Sequence, residues 1–590
     1  MEVLSSYLRR VLAPCLVLLW FTWSLEAVGA TANYDLEVTT NGNSTELSVT
    51  LELQLDADSE HVELRIPYRW GTTTGASLGI KNLTIRDSDC ETVLEETSVL
   101  GEIDTLHFHL ADCGVAGSRT VVVDYRLTQI HADISTAASI NQYLPILQNA
   151  YVTFIAGMAL VIPLQDAELD INVSWKNLPE NWAVFASVDG NNSEFNYKGD
   201  LHGILTSLFY ASELNRVTAH TLQGDNQLVL DKALPGAGEH LAQHIDATLK
   251  LMNRSMPSLG ERQLIIASRL ASASGQSSIN GVALNNTVWL QLADDISLEK
   301  VALTFTHELL HQLNPGDMGL SSVKFPGLQW FTEGFTEYLT YKVAYHVGLI
   351  DRERFIAEIN NVLSSLAQSS VADLGAKEYA KVYFNPPPWI GRDAFEKVPY
   401  WKGFLLALKW DEELVQSGDL ELEHAILQLA KDNVKSKYPL IGPERIEYVM
   451  RNLGIEDPKE DIENFIHLNR GVELTQQRYE KRDLVSLESQ PRFSLGFTYP
   501  MNGPSFVVRD LEVQNNAYQA GLRNGMTVTA ATFHYGNHNV ATTLKVRELK
   551  SPITYLPSAV LEMPALSHEA RLPVMDKRSE GGRKTSVSLN

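Results

Sequence analysis

At 590 residues the chain exceeds the size at which one hydrophobic core keeps growing, so about two to four domains are expected. Its composition, 44% hydrophobic and 20% charged, excludes a disordered or fibrous chain. The balance of 48 basic against 72 acidic residues, a net charge of -24, opposes phosphate backbones and anionic membranes and argues against nucleic acid as a partner.

Arg9 and Arg10 precede an apolar run from Val11 to Leu25, and Val28-Gly29-Ala30 follows. This order of a basic start, an apolar stretch and small residues predicts a signal peptide over residues 1–30, cleaved after Ala30. An uncleaved anchor is the alternative, but the run falls short of the ~20 apolar residues that span a bilayer, and no later segment comes close. The mature protein is therefore expected to be exported, periplasmic or secreted, with no stable membrane span. Losing Cys15 with the signal leaves Cys90 and Cys113. Two thiols in an oxidising compartment are expected to form a disulfide, worth roughly 3 kcal/mol if the geometry permits. Two unpaired buried thiols are the other possibility.

From Tyr34 to about residue 215 apolar residues alternate, as at Leu47, Val49, Leu51, Leu53 and Leu55 and again at Val62, Leu64 and Ile66. Turn-forming clusters such as Thr40-Asn41-Gly42-Asn43 separate the runs. The pattern predicts an N-terminal β-sandwich-like domain over 31–215. Beyond residue 216 the period lengthens, with Leu241, Ile245 and Leu249 on one helical face. Helices are predicted at 297–313, 331–346 and 351–367, and two short strands at 263–267 and 288–292. Pro443 and Pro458 fit the first turns of further helices. Past residue 490 short strands return, at Phe506-Val507-Val508 and Met526-Thr527-Val528, which suggests a separate small domain over 490–576. Residues 577–590 have almost no apolar content and read as a flexible tail. The class is multidomain α+β.

The chemistry concentrates in His307-Glu308-Leu309-Leu310-His311. Histidines four apart on a helix lie about 40° apart in rotation and can share one metal ion. Glu308 points about 100° away from His307, where it can reach a water on the metal and act as a general base. A third ligand is expected from Glu333 in Trp330-Phe331-Thr332-Glu333-Gly334-Phe335-Thr336-Glu337-Tyr338, leaving one position open for chemistry. Glu337, one turn further on, is placed to accept the free imidazole N–H of a liganding histidine. Two His and one carboxylate favour one Zn2+ per chain, although the same set also accepts cobalt.

HELLH followed by WFTEGFTEY resembles the gluzincin metallopeptidases, which include the aminopeptidase N family and the glycyl aminopeptidase family. The order of domains is similar to the second. The resemblance implies an N-terminal β domain, a thermolysin-like, mostly helical catalytic domain over 216–480, and a C-terminal PDZ-like domain over 490–576. Tyr400-Trp401-Lys402-Gly403 looks like the Tyr-x-Lys-Gly element of these families, which makes Tyr400 the donor to the oxyanion of the tetrahedral intermediate; a buried structural tyrosine is the alternative. Gly281-Val282-Ala283-Leu284-Asn285 looks like their substrate-binding strand, so Gly281, Ala283 and Asn285 are candidate substrate contacts. The family usually has glutamate, which holds the substrate's free amine, where Asn285 stands. Asn285 also opens a glycosylation sequon with Thr287. Ser494-Leu495-Gly496-Phe497 resembles the carboxylate-binding loop of PDZ domains, which implies a peptide C-terminus as a partner beside peptide substrates.

These readings converge on hydrolysis of peptide bonds, with Glu308 as base and Tyr400 as oxyanion donor, by an aminopeptidase acting on short peptides. A metallo-endopeptidase and a peptide-binding protein with an inactive peptidase core are the alternatives.

Overall fold

Along Ser44–Asp56 every second side chain from Thr45 through Leu53 is buried, the mark of a strand with one wet face. In the computed structural model this strand sits in an eight-stranded sheet. Its order is Asp189–Asn191, Glu194–Gly199, Leu169–Lys176, Thr31–Asn41, Ser44–Asp56, Ser118–Thr128, Ile80–Asp87 and Thr92–Val93. The structure describes residues 31–566, except 43, 57–58, 68, 71–72, 91, 94–95, 99–104, 111–117, 131–142, 165–167, 216, 223–224, 232–237, 256–262, 270–278, 285, 294–295, 313–326, 370, 377, 380–395, 419, 435–441, 481–484, 500–504 and 535–538. The expected signal peptide and tail, Cys113 and Asn285 lie outside the described residues.

The chain divides into two compact units that change over between Leu214 and Asn215. In the first, a four-stranded sheet of Ile146–Gln148, Tyr151–Ile155, Leu208–Glu213 and Trp182–Ala186 faces the eight-stranded one. Phe154 stacks both on Phe209 of its own sheet, at 5.4 Å, and on Trp175 of the other, at 6.1 Å. Two buried tyrosines tie the layers by hydrogen bonds: Tyr34 donates to the Val161 carbonyl at 2.7 Å and Tyr125 to that of Ala159 at 3.2 Å. The Cys90 sulfur receives an N–H from Nη2 of the buried Arg119 at 3.2 Å.

The second unit opens with a five-stranded sheet made of β1 (Val217–Thr221), β2 (Gln227–Asp231), β3 (Leu264–Arg269), β4 (Ile279–Leu284) and β5 (Thr287–Leu292), in the order β1-β2-β3-β5-β4. All of β5 is buried, whereas β4 is the edge and alternates, with Val282 and Leu284 inward. Helices follow: α1 (Gly238–Ser255), which buries Leu241, Ile245 and Leu249, then α2 (Leu298–His311), α3 (Gln329–Thr332), α4 (Gly334–Val347), α5 (Arg352–Gln368) and α6 (Val398–Gly418). Pro443 and Pro458 open two more helices at their first turns, where the missing N–H costs nothing.

The strands of residues 485–566 belong to this same compact unit. The antiparallel pair of Val485–Phe493 and Ser558–Leu566 brackets in sequence a four-stranded sheet of Phe506–Val507, Thr527–Thr532, Thr542–Val546 and Ile553–Tyr555. Asn360 on α5 clamps the end of that pair, with its amide donating to the Leu566 carbonyl at 3.1 Å and accepting from the Leu566 N–H at 2.8 Å.

The helical core contains a buried ionic cluster. Lys342 on α4, 1% exposed, reaches Asp411 at 3.0 Å, Glu423 at 2.7 Å and Glu421 at 3.2 Å. Asp411 also accepts from the Tyr338 hydroxyl at 2.7 Å and the Leu422 N–H at 2.8 Å. Burial works against the Lys342 charge, but the surrounding carboxylates outweigh it and hold the ammonium well above its ordinary pKa. Removing the one cation strands several buried acids, so Lys342→Met is expected to cost about 3–5 kcal/mol. Urea unfolding followed by tryptophan fluorescence measures this, and a loss below about 1 kcal/mol would mean that the acids are neutral or hydrated without it.

Candidate active site

Ser297 starts α2 by accepting the Lys300 N–H on its side chain at 3.3 Å, an N-cap that satisfies one of the helix's free donors. Val301, Phe305, Leu309 and Leu310 are buried in the core. The helical repeat then brings His307 and His311 together: their rings meet edge to face at 84°, and the two Nε2 atoms are 3.0 Å apart.

Glu333 sits at the break between α3 and α4. Its Oε2 lies 3.5 Å from both Nε2 atoms. A point equidistant from these three atoms is about 1.9 Å from each, close to the ~2.0–2.2 Å of zinc–nitrogen and zinc–carboxylate bonds. The edges, 3.0 and 3.5 Å, also bracket the ~3.3 Å edge of a tetrahedron with such bonds. Among the described residues this is the only cluster of three His, Cys, Asp or Glu donors with metal-binding spacing. The donor set fits a zinc ion with one position left open.

Glu337 lies with Oε2 2.9 Å from His307 Nδ1, and a hydrogen bond there would leave the Nε2 lone pair facing His311 and Glu333. Between the protein groups alone, burial disfavours a charged His307, yet hydrogen bonds to Glu333 and Glu337 outweigh it and lift its pKa to about 9. Burial likewise works to raise both carboxylates, and their histidine partners reverse it, holding both below the usual range. A metal ion taken up there would compete with a proton on His307.

Tyr400, in the first turn of α6, lies nearly parallel to the His307 ring, at 10° and 6.3 Å. Burial first, and then the carboxylates Glu333, Glu337 and Glu308, push its hydroxyl well above an ordinary phenol, with a hydrogen bond to Glu333 among the causes. It remains a protonated donor. Glycines allow this approach: a Cβ on Gly403 would fall 1.7 Å from the Trp330 carbonyl oxygen, and one on Gly334 2.5 Å from Gly403 Cα.

Glu308 faces the edge strand β4. A Cβ on Gly281 would meet the Glu308 carboxylate at 2.4 Å, so strand and carboxylate are in contact. Gly281 and Ala283 share the face of β4 that is only partly buried, and an edge strand can accept an extended peptide. Sequence reasoning missed Gln312, which follows His311 and donates to the Leu284 carbonyl at 3.2 Å and that of Thr287 at 3.1 Å. It ties the β4–β5 turn to the end of α2; only its place beside the histidines could have marked it. In the loop expected to bind a carboxylate, the Gly496 N–H is already donated to Ser494 Oγ at 3.2 Å, and the Leu495 carbonyl accepts from Tyr555 at 3.1 Å.

No protein-family model matches the chain, and no curated protein matches it by sequence. Among solved structures it is similar to an aminopeptidase N family protein from Idiomarina loihiensis, with a TM-score of 0.63 and 13% identity over 93% of this chain and 99% of that one. The two share a fold. At that identity the likeness establishes nothing about activity. Weaker likenesses are to yeast LTA4 hydrolase, at TM-score 0.44 and 13% identity over 74% of this chain and 67% of that one, and to an M1 zinc metallopeptidase from Deinococcus radiodurans, at 0.40 and 13% over 74% and 93%. Neither carries weight below.

The contact between Gly281 and Glu308 yields a specific expectation. In Gly281→Ala the new methyl meets the movable end of a side chain, so Glu308 turns aside at little cost to the fold. Metal content and unfolding midpoint should hold, while turnover that depends on Glu308 falls about 10- to 100-fold. Full turnover in this variant would show that the base acts from elsewhere.

Proposed function

We propose that this chain is a zinc-dependent peptidase that hydrolyses peptide bonds, working as an aminopeptidase on short peptides. The observation that carries the reading is the convergence of His307, His311 and Glu333 on one point, with Glu308 and Tyr400 at its side. Zinc bound there supplies a Lewis acid and lowers the pKa of water. Glu308 takes the proton of the attacking water and passes it to the leaving amine. Tyr400, kept protonated by burial and by its carboxylate neighbours, donates to the oxyanion that forms at the substrate carbonyl. Glu337 fixes the His307 tautomer, and β4, through Gly281 and Ala283, lays the substrate backbone alongside the base. Export to a periplasm or beyond the cell, drawn from residues 1–30, belongs to the same proposal.

A second reading, a metallo-endopeptidase, is favoured by one feature of the sequence: Asn285 supplies no carboxylate to hold a substrate amine. Peptides with free and acetylated N-termini separate the two, since only an endopeptidase accepts both.

Residues 31–590 should bind about one zinc per chain and hydrolyse such peptides. Glu308→Gln should abolish turnover while keeping metal and peptide binding, and Tyr400→Phe should lower kcat about 10²- to 10³-fold with KM little changed. Metal content by atomic absorption together with the two rate constants decides the matter. Zinc bound without hydrolysis of any peptide would leave a binding protein, and failure to take up zinc would remove the reading altogether.

A further inference from the structure

Lys397 stands just before α6 and three residues from Tyr400, with its ammonium 4.1 Å from the centroid of the tyrosine ring. Its position works against the helix that follows. The N-terminal end of a 21-residue helix carries partial positive charge, and the first turn of α6 holds no acidic residue to offset a lysine there. A residue that breaks a local preference marks a place to look for function. Lys397 is exposed and makes no ion pair of 4.0 Å or less among the described residues, in contrast to Lys342 and Lys409, which are each held by several carboxylates. Its field does reach the site, where it helps to keep Glu337 ionised.

The separations of 4.1 Å from ammonium to Tyr400 and 6.3 Å from Tyr400 to His307 keep this cation within about 10 Å of the metal-ligand ring, which an extended peptide covers in about three residues. Among the described residues, the carboxylates of Glu308, Glu333 and Glu337 border the reacting centre, and Lys397 places a cation beyond the metal ligands where an anionic substrate group can settle clear of them. We propose that Lys397 is a specificity-determining anchor for a substrate carboxylate within about three residues of the scissile bond. The substrate class is short peptides bearing either an acidic side chain or a free C-terminus at that distance. The inference deepens the peptidase reading and rests on it for the identity of the ligand.

The test uses the zinc-loaded chain and four peptides of one sequence: Glu or Gln beside the scissile bond, each with a free or amidated C-terminus. In the wild type, kcat/KM should favour the carboxylate-bearing peptides over the uncharged one, and comparison of the Glu and free-acid arms identifies which carboxylate is held. Lys397→Met should lower that preference about three- to tenfold, mostly through KM, Lys397→Arg should restore it, and Lys397→Glu should invert it. Equal losses on all four peptides would mean that Lys397 only steadies the Tyr400 ring, and an unchanged ratio would mean that it touches no substrate; either overturns the anchor. Fluorescence anisotropy of the same labelled peptides on zinc-loaded Glu308→Gln, with and without Lys397→Met, reads the anchor independently of turnover. If nothing is hydrolysed but the acidic peptides lose affinity with Lys397→Met, the anchor holds and the peptidase reading fails. If neutral peptides are cleaved and neither readout responds to Lys397, the peptidase reading holds and the anchor fails.

Discussion

Backbone contact between two glycines sets the distances on which the candidate site depends. Gly334 follows Glu333, the third candidate ligand, Gly403 lies in the turn after Tyr400, and a Cβ on either would press into the other helix's backbone. No side-chain rotation relieves a clash of this kind, so α6 would have to move outward and take the Tyr400 hydroxyl away from Glu333. Glycine within a helix costs about 1 kcal/mol relative to alanine. The packing that the close approach permits offsets this: Phe335 meets Trp410 at 5.6 Å and Phe331 at 4.9 Å, and Phe404 meets Tyr338 at 5.4 Å.

Charge imposes the second condition. Glu333 and Glu337 are both held ionised while buried beside histidines, and neutral imidazoles alone would leave that corner with uncompensated negative charge, which is costly out of water. The Lys342 cluster faces the same difficulty and meets it with its own cation, whose ammonium lies among Asp411, Glu421 and Glu423. Around His307 the protein places imidazole nitrogens and a carboxylate about one point and, among the described residues, supplies no lysine within bonding distance of Glu333. Two buried acidic sites of one helix, α4, are thus resolved in opposite ways. In one the cation is built in as a lysine, and in the other a proton on His307 supplies it until an ion from solution takes that place.

What the sequence made legible follows from how local each signal is. His307, Glu308 and His311 occupy one turn and a third of helix, so spacing alone fixed their relation, and Glu337 could be placed from Glu333 by the same repeat. The predicted helices at 297–313 and 351–367 correspond to Leu298–His311 and Arg352–Gln368, because each has one apolar face over several turns. The stretch 331–346 is instead interrupted at Glu333, leaving a short α3 before α4. Contacts between distant segments were hidden. Tyr400 came into view only through resemblance to a family motif, and no periodic pattern links Lys342 to Asp411 or Gln312 to the Leu284 carbonyl. The role of Gly281 was assigned to substrate; its contact with Glu308 depends on how β4 crosses α2, which residue order does not encode.

The Tyr-x-Lys-Gly element has a geometric logic that its use as a motif leaves implicit. Successive helical residues turn by about 100°, so Lys402 points about 200° away from Tyr400, to the opposite side of α6. There it is buried, its pKa lowered to about 8 by that burial, and it donates to the Leu374 carbonyl at 2.9 Å and the Ile466 carbonyl at 3.1 Å. The second acceptor lies within a π-helical turn, Glu463–His467. Gly403, about 300° from Tyr400, faces the Trp330 carbonyl. One turn of α6 is therefore fixed on two sides, by a clamp that sets its rotation and by a bare backbone that sets its depth. The tyrosine on the third side has little freedom left, and the oxyanion donor proposed for that place needs the restriction, because its contribution depends on being in place before charge develops.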